Sequence, residues 1–591
     1  MQLNVWALTG IALVMVVTYY LGQRSSRFAS STHDFLVARR TVRSRRNAAA
    51  ISGEYISAAS FLGIAGLVLK EGADALWFPI GFTAGYLALM LFVAAPLRRS
   101  GAYTLPDFME ARLGSTSLRT LSTWFVVFIG VLYMLPQLQG AGIALATILP
   151  APAWVGVVAV TVVIAFNVMA GGMRAITLVQ AFQYWLKLFA LAVPTFVLCV
   201  VFFGSNGAGS AGGLSQEAPP RFTDDTTLTV ETDVLLRVDE PTSVRVPADS
   251  PNVTVWSPGT EYPVAEGTTL WFPARSDVPV VSDGALQNAD WLRPAKTAED
   301  MLGTYSLILA TFLGTMGLPH VLVRFYTNPD GKAARRTTVQ VLLLLGLFYL
   351  FPVMIGALSR MYVPQLLVTG NTDAAVLLVP SQMLPGVAGQ ILVAITAAGA
   401  FAAFLSTSSG LLVSVAGVIA TDLLAGKVRD FRLAAVLTAL VPAGLALSLP
   451  VEDLSLSVGM SFALAASTFC PLLVLGIWWR RLTWTGAMLG MCVGGGLVLL
   501  AVALNAISER TGSWAPWFLQ QPALFTVPAA FLVTVVVSLG TARRVPDDVN
   551  AVMLRLHAPD PLGFMRDRAV ARFGRLDERP RSSRGGGRHR K

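Results

Sequence analysis

Four consecutive hydroxyls, Ser406, Thr407, Ser408 and Ser409, interrupt the otherwise apolar run ITAAGAFAAFLSTSSGLLVSVAGVIATDL. Hard cations take oxygen ligands. Helical side chains lean toward the N-terminus, so the hydroxyls of Ser406 and Thr407 come alongside the carbonyl of Ala403, three and four residues earlier. That places three oxygens on one side of a helix. The competing reading, usual for isolated serines in membranes, has each hydroxyl bonding back to a carbonyl of its own helix. Four in a row favour a cation site.

Two other runs are interrupted where a plain lipid-facing helix would not be. AAAISGEYISAASFLG sets Glu54 beside Ser52 and Gly53, and FLGTMGLPHVLVRF gathers Gly314, Gly317, Pro319 and His320. Lipid does not tolerate unsatisfied backbone, so such breaks persist only where neighbouring helices, ions or water take up the freed groups. Paired breaks point to a pocket. A carboxylate within a span is costly and functional by default. Three roles stand open for Glu54: electrostatic support of the cation site, carriage of a coupled proton, or pairing with a basic residue. For His320 and Arg324, one turn apart, a proton relay competes with the favoured reading, in which Arg324 snorkels to the interface and His320 bonds a backbone carbonyl. Asp107 and Glu110 read as ion-pairing residues at an inner gate.

The elements that must position these residues are membrane helices. A chain of 591 residues with 54% hydrophobic and 13% charged residues is too apolar for a soluble protein of that length. A bilayer core of about 30 Å takes about 20 helical residues. Thirteen runs qualify, near residues 4–21, 48–70, 74–96, 117–147, 152–170, 176–203, 303–327, 336–361, 386–420, 431–449, 454–479, 483–506 and 521–541. The first has no basic residue before it and no cleavage site, so it reads as a retained helix. Arg39, Arg40, Arg43, Arg45 and Arg46 follow it and mark the cytoplasm. In the same register Arg98, Arg99, Lys332, Arg335, Arg336, Lys427, Arg429, Arg480, Arg481 and the basic tail fall inside. The expectation is a multi-pass protein of a bacterial plasma membrane, N-terminus outside and C-terminus cytoplasmic.

The organisation expected is a first helix and basic loop (1–47), five spans (48–203), an extracytoplasmic insertion (204–300), five more spans (301–479), two further helices (480–541) and a basic tail (542–591). Two sets with an odd number of spans, each opened by a broken helix, would be inverted relative to one another. The insertion opens on GSNGAGSAGG and continues in short alternating runs, a small β-rich or partly disordered domain. A lid role and an inert or partner-docking role both remain for it, and the tail offers a docking segment for an unidentified partner. The net charge of +10 collects at membrane edges, so nucleic acid is not expected as a partner. Cys199, Cys470 and Cys492 have no metal-ligand spacing, so neither a disulfide framework nor a metal cofactor is expected.

SAASFLG, GLPHVLVRFYT, AAFLSTSSGLL and ALAAST followed by Pro471 resemble the sodium:solute symporter family, most closely its acetate permease (cation/acetate symporter) branch, over about Asp34 to Thr483 apart from the insertion. The resemblance implies an all-α polytopic protein with a five-plus-five inverted-repeat core like that of the leucine transporters. It implies a sodium site between the second and ninth spans, formed by the carbonyls of Gly53, Ile56 and Ala403 and the hydroxyls of Ser406 and Thr407. Glu54 departs from the branch, which usually has Asp there. A carboxylate substrate would be met by freed amides and helix N-termini at the breaks. Candidates are Glu54, Tyr55, Ser57, Thr315, Met316 and Gly317, with Gln137, where the branch also has glutamine; an interhelical hydrogen bond is the other reading of Gln137. The function implied is sodium-coupled symport of a short-chain monocarboxylate such as acetate across the lipid bilayer. Proton coupling, a different small solute and a transporter-like sensor are the alternatives. No paired carboxylates or nucleophile with a nearby base suggest an enzyme.

Overall fold

The computed structural model describes residues 4–26, 42–204, 219–294, 297–424, 428–449, 453–511, 514–562 and 564. Arg39, Arg40, Lys427, the Gly-rich opening of the insertion and the end of the basic tail lie outside the described residues. The principal helices are α1 (Val5–Ser26), α2 (Ser44–Tyr55), α3 (Ile64–Glu71), α4 (Trp77–Phe92), α5 (Thr116–Ile148) and α6 (Ala153–Gly204). After the insertion come α7 (Ala298–Gly317), α8 (Pro319–Val323), α9 (Gly331–Tyr362), α10 (Val387–Val418), α11 (Val428–Ser448), α12 (Leu454–Trp478), α13 (Trp484–Thr511) and α14 (Ala523–Gly540).

Eleven helical runs among the described residues are long and apolar enough to cross a membrane, against the thirteen expected. The expected spans 48–70 and 74–96 share one helical run, Ala59–Phe92, in which Gly72 (φ 68°) turns the backbone. The runs expected at 152–170 and 176–203 lie in one continuous helix, α6, of which Ala153–Met169 is the apolar first part. Large side chains such as Leu343, Phe203 and Leu532 stand exposed on the outer surface of the bundle. That is the pattern of a protein whose solvent is lipid.

Both anticipated interruptions are present. α2 stops at Tyr55 because Ile56 turns to extended backbone (φ −70°, ψ 95°), and helix resumes with a π-turn at Ala59–Gly63. α7 stops at Gly317 because Leu318 precedes Pro319, which disfavours helical backbone in the residue before it; Leu318 is extended (ψ 114°) and Pro319 opens α8. Around these breaks α2 packs on α6, α6 on α10, and α7 on α4 and α12.

Between α6 and α7 lie seven short strands: β1 (Thr226–Thr229), β2 (Val234–Arg237), β3 (Thr242–Val244), β4 (Thr254–Trp256), β5 (Tyr262–Val264), β6 (Thr269–Phe272) and β7 (Val280–Val281). They pair as β1–β6, β5–β2–β7 and β3–β4, with Leu236, Val244, Leu270, Phe272 and Val280 buried. This unit is fastened to the helices. Trp291 Nε1 donates to Val68 O at 2.5 Å, and Arg360 of α9 donates to Asn288 Oδ1 (3.1 Å) and Ala285 O (2.7 Å). Lys70, at the end of α3, pairs with Asp283 at 2.8 Å and with Asp453. Beside them Asp373 accepts the Leu454 amide at 3.0 Å, while burial, and then the neighbouring Asp453 charge, push its carboxyl up to about 7.

α2 can approach α6 this closely because residue 53 has no side chain: a Cβ on Gly53 would stand 2.3 Å from the Gln180 carbonyl oxygen. Gly53→Ala is expected to lower stability by about 1–3 kcal/mol, the usual cost of overpacking. Gly346→Ala, which meets nothing within 4 Å, should not. Thermal unfolding of the purified chain in detergent checks both.

Candidate functional site

A helix end leaves its last carbonyls without intrahelical partners, and the end of α2 lies inside the bundle. Ser52 O is taken by the Ile56 amide. Gly53 O accepts from the Ser406 hydroxyl at 2.7 Å, Glu54 O from the Thr407 hydroxyl at 2.6 Å, and Ile56 O from Thr407 at 3.3 Å. Ser406 Oγ also lies 3.1 Å from Ala403 O. All five positions that the family resemblance assigns to sodium therefore meet at one point between α2 and α10. On the far side of the break the freed Ala58 amide donates to Gln137 Oε1 at 2.7 Å. Gln137 thus makes the interhelical bond, to the broken backbone itself.

A residue that the reading of breaks and hydroxyls missed stands in the middle of this cluster. Lys187 of α6, fully buried, donates from Nζ to Gly53 O at 2.5 Å, to Ile56 O at 2.6 Å and to Ser406 Oγ. The signal was present in the sequence as a lysine well inside an apolar run, which is an ionisable residue in a span. Two turns earlier on the same face, Gln180 donates from Nε2 to Ser406 O at 2.8 Å.

Glu54 takes the third of its open roles. Its Oε2 receives Arg324 Nε at 2.6 Å, with both side chains buried. Arg324 also donates to Thr177 Oγ1 at 2.8 Å and to Gln180 Oε1. This corrects the snorkelling expectation for Arg324: it follows directly after α8 and points into the bundle, where a carboxylate and two α6 acceptors satisfy it. Gly410 makes room for the pair, since a Cβ there would collide with Glu54 Oε1. The expectation that His320 bonds a carbonyl is also corrected: neither ring nitrogen has a hydrogen-bond partner among the described residues, and the ring stands edge-on to Tyr133 with centroids 5.1 Å apart. Glu110 pairs with Arg119 at 2.9 Å, and Asp107, fully buried, accepts the Tyr103 amide at 3.0 Å.

The proposed solute-contacting residues fall into groups. Tyr55 and Thr315, one at each break, have hydroxyls 2.8 Å apart. The Tyr55 ring is edge-on to Phe82, Tyr86 and Phe462. Ser57 Oγ accepts the Ser60 amide at 3.4 Å within the first break, close to the Ala58–Gln137 bond. Met316 is buried beside Thr315, and Gly317 packs with its Cα toward Ala465 O. Glu54 is engaged by Arg324 and does not join them. The result is a buried, mostly aromatic cluster with a few polar atoms, next to the oxygen-rich cluster at the end of α2.

A family model described as the sodium:solute symporter family matches residues 35–253 and 278–494. The chain is 28% identical over 544 residues to an uncharacterized symporter, YwcA, of Bacillus subtilis, covering 88% of this chain and 91% of the relative. It is 27% identical over 581 residues to a monocarboxylic acid transporter of Corynebacterium glutamicum, covering 94% of each. Among solved structures, a Na+-coupled sialic acid symporter in a substrate-bound outward-open state overlays with a TM-score of 0.59 at 15% identity, covering 90% of this chain and 98% of the other. The fold is shared.

Removing one partner of a buried ion pair strands the other charge and costs about 3–5 kcal/mol, whereas an apolar replacement of both is often neutral. Arg324→Met and Glu54→Leu are each expected to lower stability by that amount, and the double variant to recover most of it. A double-mutant cycle on thermal unfolding in detergent measures the coupling.

Proposed function

The chain belongs to the sodium:solute symporter family, and from that premise we propose that it is a cation-coupled symporter that brings a short-chain monocarboxylate, acetate or a close homologue, into the cell by alternating access. The observation that carries this reading is the meeting of two helix breaks. α2 and α7 each lose their helix inside the bundle, Tyr55 and Thr315 join the two breaks, and beside them the Lys187 ammonium is held by Gly53 O, Ile56 O and Ser406 Oγ, with Thr407 and Ala403 bonded into the same cluster. Such half-helix ends at a repeat interface are where transporters of this architecture hold solute and coupling cation. The core is read as inverted repeats running from α2 and from α7, with the strand-rich insertion outside and the C-terminal tail in the cytoplasm. The family name speaks for sodium as the coupling cation.

The substrate class is supported by the residue types gathered at the two breaks and by the relative from Corynebacterium glutamicum. Tyr55, Thr315, Ser57 and Gln137 supply a few hydrogen bonds among Phe82, Tyr86 and Phe462, which suits a small anion with a short apolar tail better than a polyhydroxylated solute. Each ligand raises affinity for the other by the same factor, because linkage is reciprocal.

The test is uptake of radiolabelled acetate, propionate and pyruvate into proteoliposomes with inward sodium and proton gradients imposed together. Uptake of at least one above protein-free vesicles is expected, with the other two competing for it. Ser57→Ala with Gln137→Leu should reduce it by about 5- to 150-fold, the equivalent of the loss of about 1–3 kcal/mol when a buried polar group is left unpaired. No uptake of any of the three overturns the monocarboxylate reading.

A further inference from the structure

Lys187 changes what the five-oxygen cluster needs. It lies about twelve residues into the apolar stretch Ala175–Gly204, about 18 Å along the helix from its start, and is fully buried. That is too deep for a lysine stem to carry its charge to the interface. An ammonium has three N–H donors, and Nζ has three acceptors, Gly53 O, Ile56 O and Ser406 Oγ. The two carbonyls belong to the end of α2, where the helix dipole favours a cation. α2 has no basic residue in its last turn, so the compensating charge crosses over from α6.

The charges around it are few. The carboxylate of Glu54, on α2, is already held by Arg324. α10, which presents Ser406, carries no ionisable side chain between Val387 and Val418. On α6 itself Tyr184, one turn earlier, donates its hydroxyl to Leu344 O at 3.0 Å. A metal ion bound by the same oxygens would need the space that Nζ fills. It would also set a second positive charge against the first with no carboxylate among the ligands.

We propose that Lys187 is the cation of this site: its tethered ammonium stands where the family resemblance puts sodium, clamps the broken α2 against α6 and α10, and leaves no sodium site at these five positions. The proposal rests on reading those positions as the cation site of a symporter. Opening of the break then requires withdrawal of the Lys187 amine from Gly53, Ile56 and Ser406 rather than escape of a free ion. The charge that stabilises the cluster is part of the chain.

The experiment measures equilibrium binding of radioactive sodium to the purified full-length chain in detergent, in choline chloride as counter-salt at constant pH. The wild type is expected to show no saturable sodium binding. Lys187→Ala, which removes the ammonium and keeps all five oxygens, is expected to gain saturable binding and a thermal stability that rises with sodium but not with choline. Saturable binding to the wild type that is abolished by Ser406→Ala with Thr407→Ala would overturn the proposal, and so would a folded Lys187→Ala chain that binds no sodium. Should Lys187→Ala fail to fold, the wild-type measurement and its Ser406→Ala, Thr407→Ala control still decide. Because the assay contains sodium and no solute, a failure of acetate, propionate and pyruvate uptake would remove the substrate reading without touching this result.

Discussion

Between Tyr55 and Ala59 the backbone leaves its helix inside a lipid-embedded bundle, and each polar group it frees has to find its partner within the protein. The partners come from three other helices. α10 sends the hydroxyls of Ser406 and Thr407, α6 sends the ammonium of Lys187, and α5 sends the amide of Gln137. A helix that merely crossed the bilayer would satisfy its own backbone and impose nothing on its neighbours. This one dictates which residue types α5, α6 and α10 must carry and how near they must come, down to the missing side chain at Gly53.

The second break is tied to the first by charge. Glu54 stands one residue before the end of α2 and Arg324 immediately after α8, so their buried pair spans the two interruptions directly. Gln180 joins the pair to the cation cluster: it accepts from Arg324 through Oε1 and donates to Ser406 O through Nε2. Lys187, Glu54 and Arg324 thus form one connected electrostatic unit in a low-dielectric setting, where each charge is tolerable only because the others and the freed carbonyls surround it. A shift of α2 relative to α6 has to rearrange all of it together. That suits a protein that alternates between two packings and does not deform gradually.

The strand-rich insertion is anchored to the same helices at their ends. Lys70 closes α3, downstream of the first break, and is held by Asp283 of the insertion and by Asp453, which directly precedes α12. Arg360 at the end of α9 reaches the backbone of Ala285 and Leu286. Movement of α3, α9 or α12 is therefore transmitted to this unit through hydrogen bonds and ion pairs.

Much of this was legible in the residues. Apolar runs of span length, Gly and Pro at two mid-run positions, and a hydroxyl cluster located the bundle, both breaks and the face of α10 that meets the first break, because each is a local property: hydropathy over about 20 residues, the restriction proline places on Leu318, and the helical spacing of Ala403, Ser406 and Thr407. The division into separate spans was less legible, since a glycine turn at Gly72 and the continuous helix Ala153–Gly204 blur where one run ends and the next begins. Partner choice among buried charges was not legible at all. The sequence by itself determined that Glu54, Lys187 and Arg324 would be costly inside a membrane and would need company. Which of them would meet, and that Lys187 rather than Arg324 would reach the carbonyls of Gly53 and Ile56, was decided by tertiary structure, because those contacts join residues more than a hundred positions apart and depend on helix-to-helix distances that no local pattern encodes.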